Sequence, residues 1–281
     1  MLRNLLSLSR PLVMAIVNVT DDSFYDASRT FDVEAIEHRV RSVVAEGADI
    51  IDIGGMSSRP GSQPISLEEE WQRVERALEV VRRVAPSMPI SIDTYRSAIV
   101  RRAVERYGEV VVNDITAGDG DKAMAATVAE LGLYYIIMHM RGTSQTMQEL
   151  TDYDDLTSEV CRTLRDRAEA LVAAGVARDH IILDAGFGFA KTLEQNYRLL
   201  GELDYLCALD YPVLVGLSRK SMIYRLLDIE PSEALAPTQA VHWEALRQGA
   251  RLLRVHDVRE AVQTVRMFQM FESQNRKTDD D

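Results

Sequence analysis

The chain has 281 residues, 46% of them hydrophobic, and a formal net charge of −12. That length suits a single barrel-sized domain, and the acidic balance argues against a general nucleic-acid binder, which presents a basic face to phosphates. No apolar run approaches the roughly 18 residues that span a membrane, residues 1–10 are too short for a secretory segment, and two cysteines make no disulfide framework; a cytoplasmic protein without a membrane partner is expected.

The elements follow one another as short apolar runs separated by helix-like stretches. Leu12–Val17 leads to Asn18 and then to residues 20–30 (TDDSFYDASRT), which are rich in turn formers, have no apolar period and read as a loop. Ile50–Ile53, with Asp52 inside it, runs into Gly54-Gly-Met-Ser-Ser-Arg-Pro-Gly61, where glycine and proline mark irregular backbone. Ser66-Leu-Glu-Glu69 has the pattern of a capping box and opens an amphipathic helix to about Val84, stopped by Pro86. Ile90–Ile92 ends on Asp93, Val110–Val112 on Asn113 and Tyr134–Met138 on His139. A helical pattern over Asp154 to Ala174 precedes Ile181–Leu183, which ends on Asp184. Val213–Val215 leads to Ser218-Arg-Lys-Ser221 and a helical pattern from Met222 to Asp228. Another helix is expected from Pro231 to Gln248, before Leu252–Val255, which carries Arg254 and leads to His256. Residues 1–272 form one domain in this reading, and 273–281 a polar, disordered tail.

Runs that are apolar on both faces fit parallel strands covered by helices, and their spacing matches the roughly thirty residues of a βαβ unit. Eight such units close into a (β/α)8 TIM barrel, which brings the polar residues at the strand ends to one rim. An open doubly wound sheet is the alternative.

Several constellations at that rim carry chemistry. Asp93, Asn113 and Asp184 end three different strands and point into one cup, where two carboxylates and an amide suit a ligand rich in N–H donors. A metal site or a rim ion-pair network are the other readings, although a hard cation normally takes more oxygen ligands. Arg59, Arg219, Lys220, Arg254 and His256 fall at or beyond strand ends and form a positive focus for an anionic small molecule. Free N–H groups at the start of the helix after Lys220, assisted by Ser221, suit a carboxylate or phosphate; an N-cap without a ligand is the equal alternative. Arg254 and His256 alternate along a strand and so face one side, a pairing suited to a phosphate group. The glycines of Asp184-Ala-Gly-Phe-Gly-Phe-Ala-Lys191 lack dinucleotide-fingerprint spacing, and the turn presents Phe187 or Phe189 to a ligand. His139 reads equally as a packed wall residue or a catalyst; His38, His180 and His242 read as structural.

Taken together and in order, Asn18-Val-Thr-Asp-Asp-Ser-Phe24, Ile51-Asp-Ile-Gly-Gly55, Ser58-Arg-Pro-Gly61, Ser91-Ile-Asp93, Asn113-Asp-Ile115, Met138-His139, Asp184 to Phe189, Ser218 to Ser221 and Arg254-Val-His-Asp-Val258 closely resemble the dihydropteroate synthase family of pterin-binding barrels. The resemblance covers residues 12 to 270. It implies condensation of 6-hydroxymethyl-7,8-dihydropterin diphosphate with 4-aminobenzoate to 7,8-dihydropteroate and pyrophosphate. The implied pterin pocket is Asp93, Asn113, Met138, Asp184 and Lys220, with Arg254 stacked on the ring. Asn18, Arg254 and His256 are implied to hold the diphosphate, with Asn18 also a ligand of Mg2+. Ser221, Phe189, Lys220 and the Ser58-Arg59-Pro60 loop are implied to receive the aminobenzoate. An SN1-like course is implied, in which Asp26 stabilises a cationic pterin methylene, and the catalytic set is Asp26, Lys220, Arg254 and His256. A homodimer paired through helices late in the barrel is also implied.

The chain departs from the family pattern in both rim loops. The proline usual after Thr20 is Asp21, the glycines usual after Asp26 are Ala27 and Ser28, Glu-Ser-Thr reads Met56-Ser57-Ser58, and Ala185 replaces a proline. Two other functions share the barrel: a methyltetrahydrofolate-dependent methyltransferase, and a pterin-binding homologue without catalysis. Neither needs the Ser218–Ser221 motif together with Asp26, Arg254 and His256.

Overall fold

The structure, a computed structural model, describes residues 10–20, 33–57, 63 and 65–278. Strands β1 (Leu12–Asn18), β2 (Ile50–Gly54), β3 (Ile90–Asp93), β4 (Val111–Asp114), β5 (Tyr134–Met138), β6 (Ile181–Asp184), β7 (Val213–Val215) and β8 (Leu252–Val255) close into one barrel in sequence order. Every neighbouring pair is parallel, including the closing pair β1 and β8. Helices α1 (Val33–Glu46), α2 (Leu67–Val84), α3 (Ser97–Tyr107), α4 (Met124–Leu131), α5 (Leu156–Ala173), α6 (Leu193–Gly201), α7 (Leu203–Cys207), α8 (Ser221–Leu227), α9 (Leu235–Arg247) and α10 (Val258–Thr278) lie between and after the strands. The expected (β/α)8 barrel is therefore the observed fold. None of the helices among the described residues is long and apolar enough to cross a membrane.

Strand alternation produces two separate apolar clusters. Inside the barrel, Leu12, Met14, Ile50, Val111, Tyr134, Ile136, Ile182, Leu214 and Leu252 pack as a plug. Outward-facing residues such as Val13, Ile51, Val112, Ile137 and Leu253 join the helices in a larger cluster. The strands thus bury both faces, which explains their continuous apolar reading. Above the plug the inward positions turn polar. In register, Asn18 lies opposite Gly54, Gly54 opposite Asp93, and Asp93 opposite Asn113.

The helices depart from the sequence expectation in three places. Ser66 caps α2 by accepting from the Glu69 N–H at 3.1 Å, but the Glu69 carboxylate pairs with Arg73 at 2.7 Å instead of closing the box. A reciprocal box forms at α6, where the Thr192 and Gln195 side chains each bond the other's backbone N–H. The stretch from Pro231 is broken: Pro231–Glu233 is a 3-10 turn and the α-helix starts at Leu235. At the C-terminus, α10 continues to Thr278, beyond Ser273, where the tail was expected to begin.

Charged groups hold the barrel closed at both ends. At the bottom, Asp49 bonds Arg10 with both oxygens and also accepts from the Val13 N–H at 2.9 Å. At the top, fully buried Glu70 accepts from Thr94 at 2.6 Å and pairs with Arg96 at 2.8 Å. Arg96, paired to Glu70 of α2, also donates to the Ile65 carbonyl at 2.6 Å, while Arg73 of α2 donates to the Gly55 carbonyl at 3.3 Å. Both stems of the second rim loop are therefore tied to α2. Burial pushes the Glu70 carboxyl up from its ordinary pKa, and Thr94 and Arg96 oppose that shift. Removing one member of a buried pair strands the other charge. Glu70→Ala is accordingly expected to lower unfolding free energy by about 3 kcal/mol or more, read as a lower urea midpoint at unchanged slope.

Candidate active site

At the C-terminal end of the barrel the described residues enclose a cup lined by Ile16, Asp93, Asn113, Ile115, Met138, Asp184, Phe189, Gly216, Ser218, Lys220, Arg254 and His256. The three acceptor residues of β3, β4 and β6 thus share one wall system, as their strand-end positions require. Met138 and both His256 and Arg254 join them. A larger cavity of about 590 Å3 opens beside it, between the loops after β2 to β5, and shares Ile115 with the cup. Asp119 is the one charged residue among the described residues lining that cavity.

Arg254 organises the floor. Its Nε donates to Asp52 at 2.6 Å and its Nη2 to Asp93 at 2.8 Å. Asn113 donates from Nδ2 to the same Asp52 oxygen at 3.2 Å. Among the described residues, the other Asp52 oxygen and the Ser91 hydroxyl beside it in register are buried with no hydrogen-bond partner. Burial, assisted by Asp52 and opposed by Arg254, pushes the Asp93 carboxyl up to about 7. Burial alone would lower the Arg254 guanidinium, yet Asp52 and Asp93 hold it above its ordinary value. In the sequence Asp52 stands out only as a polar residue within an apolar run. An aspartate two residues from the end of an otherwise apolar strand was the available signal.

Asp184 forms the opposite wall. Its Oδ1 accepts from the Gly186 N–H at 2.8 Å, and burial raises its pKa despite that bond. Gly186 is obligatory: its φ is +67°, and a Cβ there would lie 2.0 Å from the His139 carbonyl oxygen. The turn resolves the choice between the two phenylalanines. Phe187 is fully buried in the core, and Phe189 lines the cup. His139 is a packed wall residue, buried beside Lys191, and burial followed by Lys191 pushes its imidazole down to about 3.

Lys220 projects into the cup from the loop after β7. Its ammonium donates to the Phe187 carbonyl and lies 4.5 Å from the Phe189 ring centroid. Burial pushes it down to about 8, with Asp184 opposing. Ser221 begins α8 directly after it, half-buried, and does not itself line the cup. Arg219 leaves the expected positive focus: it is bidentate to Asp257 at 2.8 and 2.9 Å and also donates to the Pro231 and Ser232 carbonyls. With φ at +53°, its backbone turns the side chain outward, where it ties the loop to the end of β8. His256 stands 3.3 Å from the Ser218 hydroxyl through Nδ1, and Arg39 holds its backbone carbonyl at 2.6 Å. Burial, followed by Arg254, pushes the His256 imidazole down to about 4, so it is neutral at pH 7. Asn18, at the end of β1, packs its Oδ1 against Gly54, where an added Cβ would lie 2.8 Å away. Asp26, Ser58, Arg59 and Pro60 lie outside the described residues, as do Asp21, Ala27 and Ser28.

A cup with acceptors on its floor and wall, two cations and an imidazole fits a flat N–H-rich heterocycle carrying an anionic group, the class of ligand bound by pterin enzymes. The chain belongs to the pterin binding enzyme family, whose model matches residues 14–256. It is 42% identical over 267 residues to the dihydropteroate synthase of Escherichia coli, covering 94% of this chain and 93% of that protein. Among solved structures it is similar to Yersinia pestis dihydropteroate synthase in a sulfonamide drug complex (TM-score 0.87, 37% identity, 94% and 95% of the two chains covered). It is likewise similar to Xanthomonas albilineans dihydropteroate synthase in complex with 7,8-dihydropteroate (TM-score 0.82, 37% identity, 95% of each chain covered).

The depressed Lys220 ammonium makes anion binding pH-dependent. An anion favours the charged form, so affinity is full below about pH 8 and falls as the free ammonium loses its proton. The expected loss is up to about tenfold per pH unit above that point. Calorimetric titration from pH 6 to 10 with 4-aminobenzoate, whose carboxylate stays ionised throughout, is expected to show this fall in the wild type and to lose it in Lys220→Met.

Proposed function

We propose that the chain condenses 6-hydroxymethyl-7,8-dihydropterin diphosphate with 4-aminobenzoate, releasing pyrophosphate and 7,8-dihydropteroate. One observation carries this reading: acceptors from three strands and the Arg254 guanidinium share a single buried cup that opens toward Lys220 and His256. The family membership and the 42% identity to a dihydropteroate synthase support it.

In this reading the pterin ring lies against Arg254 and directs its N–H groups to Asp93, Asn113 and Asp184, beside Met138 and Lys220. The unpartnered oxygen of Asp52 lies buried beneath it. The diphosphate faces Asn18, Arg254 and His256. The carbon–oxygen bond to the leaving group breaks first, and pyrophosphate departs with the electron pair. We assign stabilisation of the methylene cation to Asp26 from the sequence, since a carboxylate aligned with the developing charge stabilises it. The aminobenzoate nitrogen then attacks and releases a proton. Its carboxylate is assigned to Ser221 with Phe189 and Lys220 and, from the sequence, to Ser58, Arg59 and Pro60. Neutral His256 is positioned to gain a proton when the phosphate arrives, because a nearby anion favours the imidazolium.

Among the described residues no cluster of three His, Cys, Asp or Glu side chains could enclose a metal ion. The donor set fits an ion that takes most of its oxygens from phosphate and water, as Mg2+ habitually does. Asn18 would be its protein ligand, and the ion would supply charge neutralisation on the leaving group.

Release of pyrophosphate from the dihydropterin diphosphate, followed with and without 4-aminobenzoate, together with formation of 7,8-dihydropteroate when 4-aminobenzoate is present, tests the assignment; no release in either case rejects it. In the same assay Asp184→Asn is expected to weaken a pterin analogue by about 1.5–3 kcal/mol, with a smaller change for aminobenzoate. Unchanged pterin binding would remove Asp184 from the pocket.

A homodimer and a cytoplasmic location belong to the same reading. Both cysteines are free thiols, in keeping with a reducing compartment. On α9, Leu235, Val241 and Trp243 are half-buried, whereas Leu246 belongs to the core. Trp243 packs edge-on against Phe268 and Phe271 of α10, beside exposed Met267 and Met270. This apolar strip is the surface we assign to a second copy. Sedimentation at micromolar concentration is expected to give twice 31.6 kDa; a 31.6 kDa species alone rejects the dimer.

A further inference from the structure

Lys191 takes no part in the chemistry derived above, yet its amine sits in a position that chemistry depends on. The residue is only 3% exposed, and among the described residues no carboxylate pairs with it. Its Nζ donates to the Gly186 carbonyl at 2.9 Å and the Phe189 carbonyl at 3.0 Å, and lies 3.1 Å from His139 Nδ1. An ammonium has three hydrogens, and three acceptors surround it. Burying such a group without a counter-ion is costly, and burial followed by the field of Lys220 pushes Lys191 down to about 7. The neutral amine is accommodated as well. It donates to the same two carbonyls and accepts from Nδ1 in the other histidine tautomer. The bonds to the turn therefore survive either charge.

What those bonds fix is a turn that the backbone would not hold by itself. Gly186, Gly188 and Ala190 all have positive φ, at +67°, +80° and +49°, the last on a residue with a side chain. Such conformations persist when surrounding contacts over-determine them. The turn supplies the cup with two features. The Phe187 carbonyl receives the Lys220 ammonium, and the Phe189 ring lies under it at 4.5 Å. Gly188 backs the same side chain, since a Cβ there would come within 3.2 Å of Lys220 Cδ. From the other side, buried Asn196 of α6 accepts the Gly188 N–H at 2.6 Å and donates to the Lys191 and Thr192 carbonyls. Of the pterin contacts, Asp93, Asn113 and Met138 stand on strands that this turn does not carry, whereas Asp184 and Lys220 touch it, so the pterin side feels the turn through part of its contacts and the aminobenzoate side through its whole wall.

We infer that Lys191 is a positioning residue for the aminobenzoate side of the reaction, holding the Gly186–Phe189 turn so that Lys220 and Phe189 present one fixed wall. The inference rests on the function proposed above. A purely structural lysine would lower thermal stability and leave both substrates equally affected or unaffected. A positioning lysine separates the two substrates.

The test compares wild type, Lys191→Met and Asn196→Ala by steady-state kinetics with each substrate varied. Circular dichroism and melting temperature establish that each variant is folded. Lys191→Met keeps the methylene stem and removes the donors. A displaced wall of this kind costs on the order of tenfold to a hundredfold, so KM for 4-aminobenzoate is expected to rise about tenfold or more. That rise should exceed the change in KM for the pterin diphosphate at least about fivefold, a split that marks lost binding on one side of the site. Asn196→Ala loosens the same turn without touching the buried amine and is expected to show the same split; it carries the test by itself should Lys191→Met not fold. Equal shifts for both substrates, or shifts within twofold in a folded variant, overturn the inference. A wild-type chain that releases no pyrophosphate overturns the underlying function instead, so the two failures are distinguishable.

Discussion

The Arg254 guanidinium, shared between Asp52 and Asp93, ties the last strand of the barrel to the second and third across the top of the apolar plug. Two carboxylates facing one cation under low dielectric form an unequal arrangement. Asp52 is fully buried and also receives Asn113, whereas Asp93 shares the cup's lining and is pushed toward neutrality. Such a buried network contributes little net stability, because desolvation offsets much of the attraction. Its value lies in geometry, since it fixes the planar face of Arg254 and one edge of the ligand site before any ligand arrives. Preorganisation of this kind lowers the ordering that binding would otherwise require.

Around this floor the site is assembled by backbone devices. The Gly186 turn fits only because no side chain stands between it and the His139 carbonyl. The second rim loop is tied at Gly55 and Ile65 through Arg73 and Arg96. His256 is held at its own carbonyl by Arg39 from α1. Arg39 and Arg73 sit on helices outside the barrel and Arg96 at the N-terminal cap of another, so the outer shell and the rim are tied together.

The fold was legible in the sequence because parallel strands buried on both faces leave continuous apolar runs, and all eight barrel strands fall on such runs to within a residue or so. The cup was legible for a related reason: Asp93, Asn113 and Asp184 interrupt those runs at their ends. Less was readable where pairing decides the outcome. Arg219 carries the same charge as Lys220 one position later, and only the left-handed turn and the proximity of Asp257 send it outward. Asp52 was visible as a polar residue but its partner lies 202 positions away. The Ser66 pattern matched a capping box, yet Arg73 one turn later competes successfully for Glu69. Lys191 gave no signal at all, because its role is written in carbonyls of its own turn, which every sequence possesses.

The vertical order of charges in the barrel has a consequence for entry. Asp52 lies within its strand, Asp93 and Asp184 at the ends of theirs, and Lys220 and His256 beyond the strand ends. At depth the three carboxylates outnumber the single Arg254 guanidinium that pairs with two of them, so the balance of charge along the barrel axis runs from acidic there to basic at the mouth. A molecule with a donor-rich head and an anionic tail meets that gradient as a dipole meets a field. Head-first approach is downhill throughout, while tail-first approach sets anion against anion at the floor. The barrel acts as a polarity filter that fixes orientation during descent, before any single hydrogen bond forms.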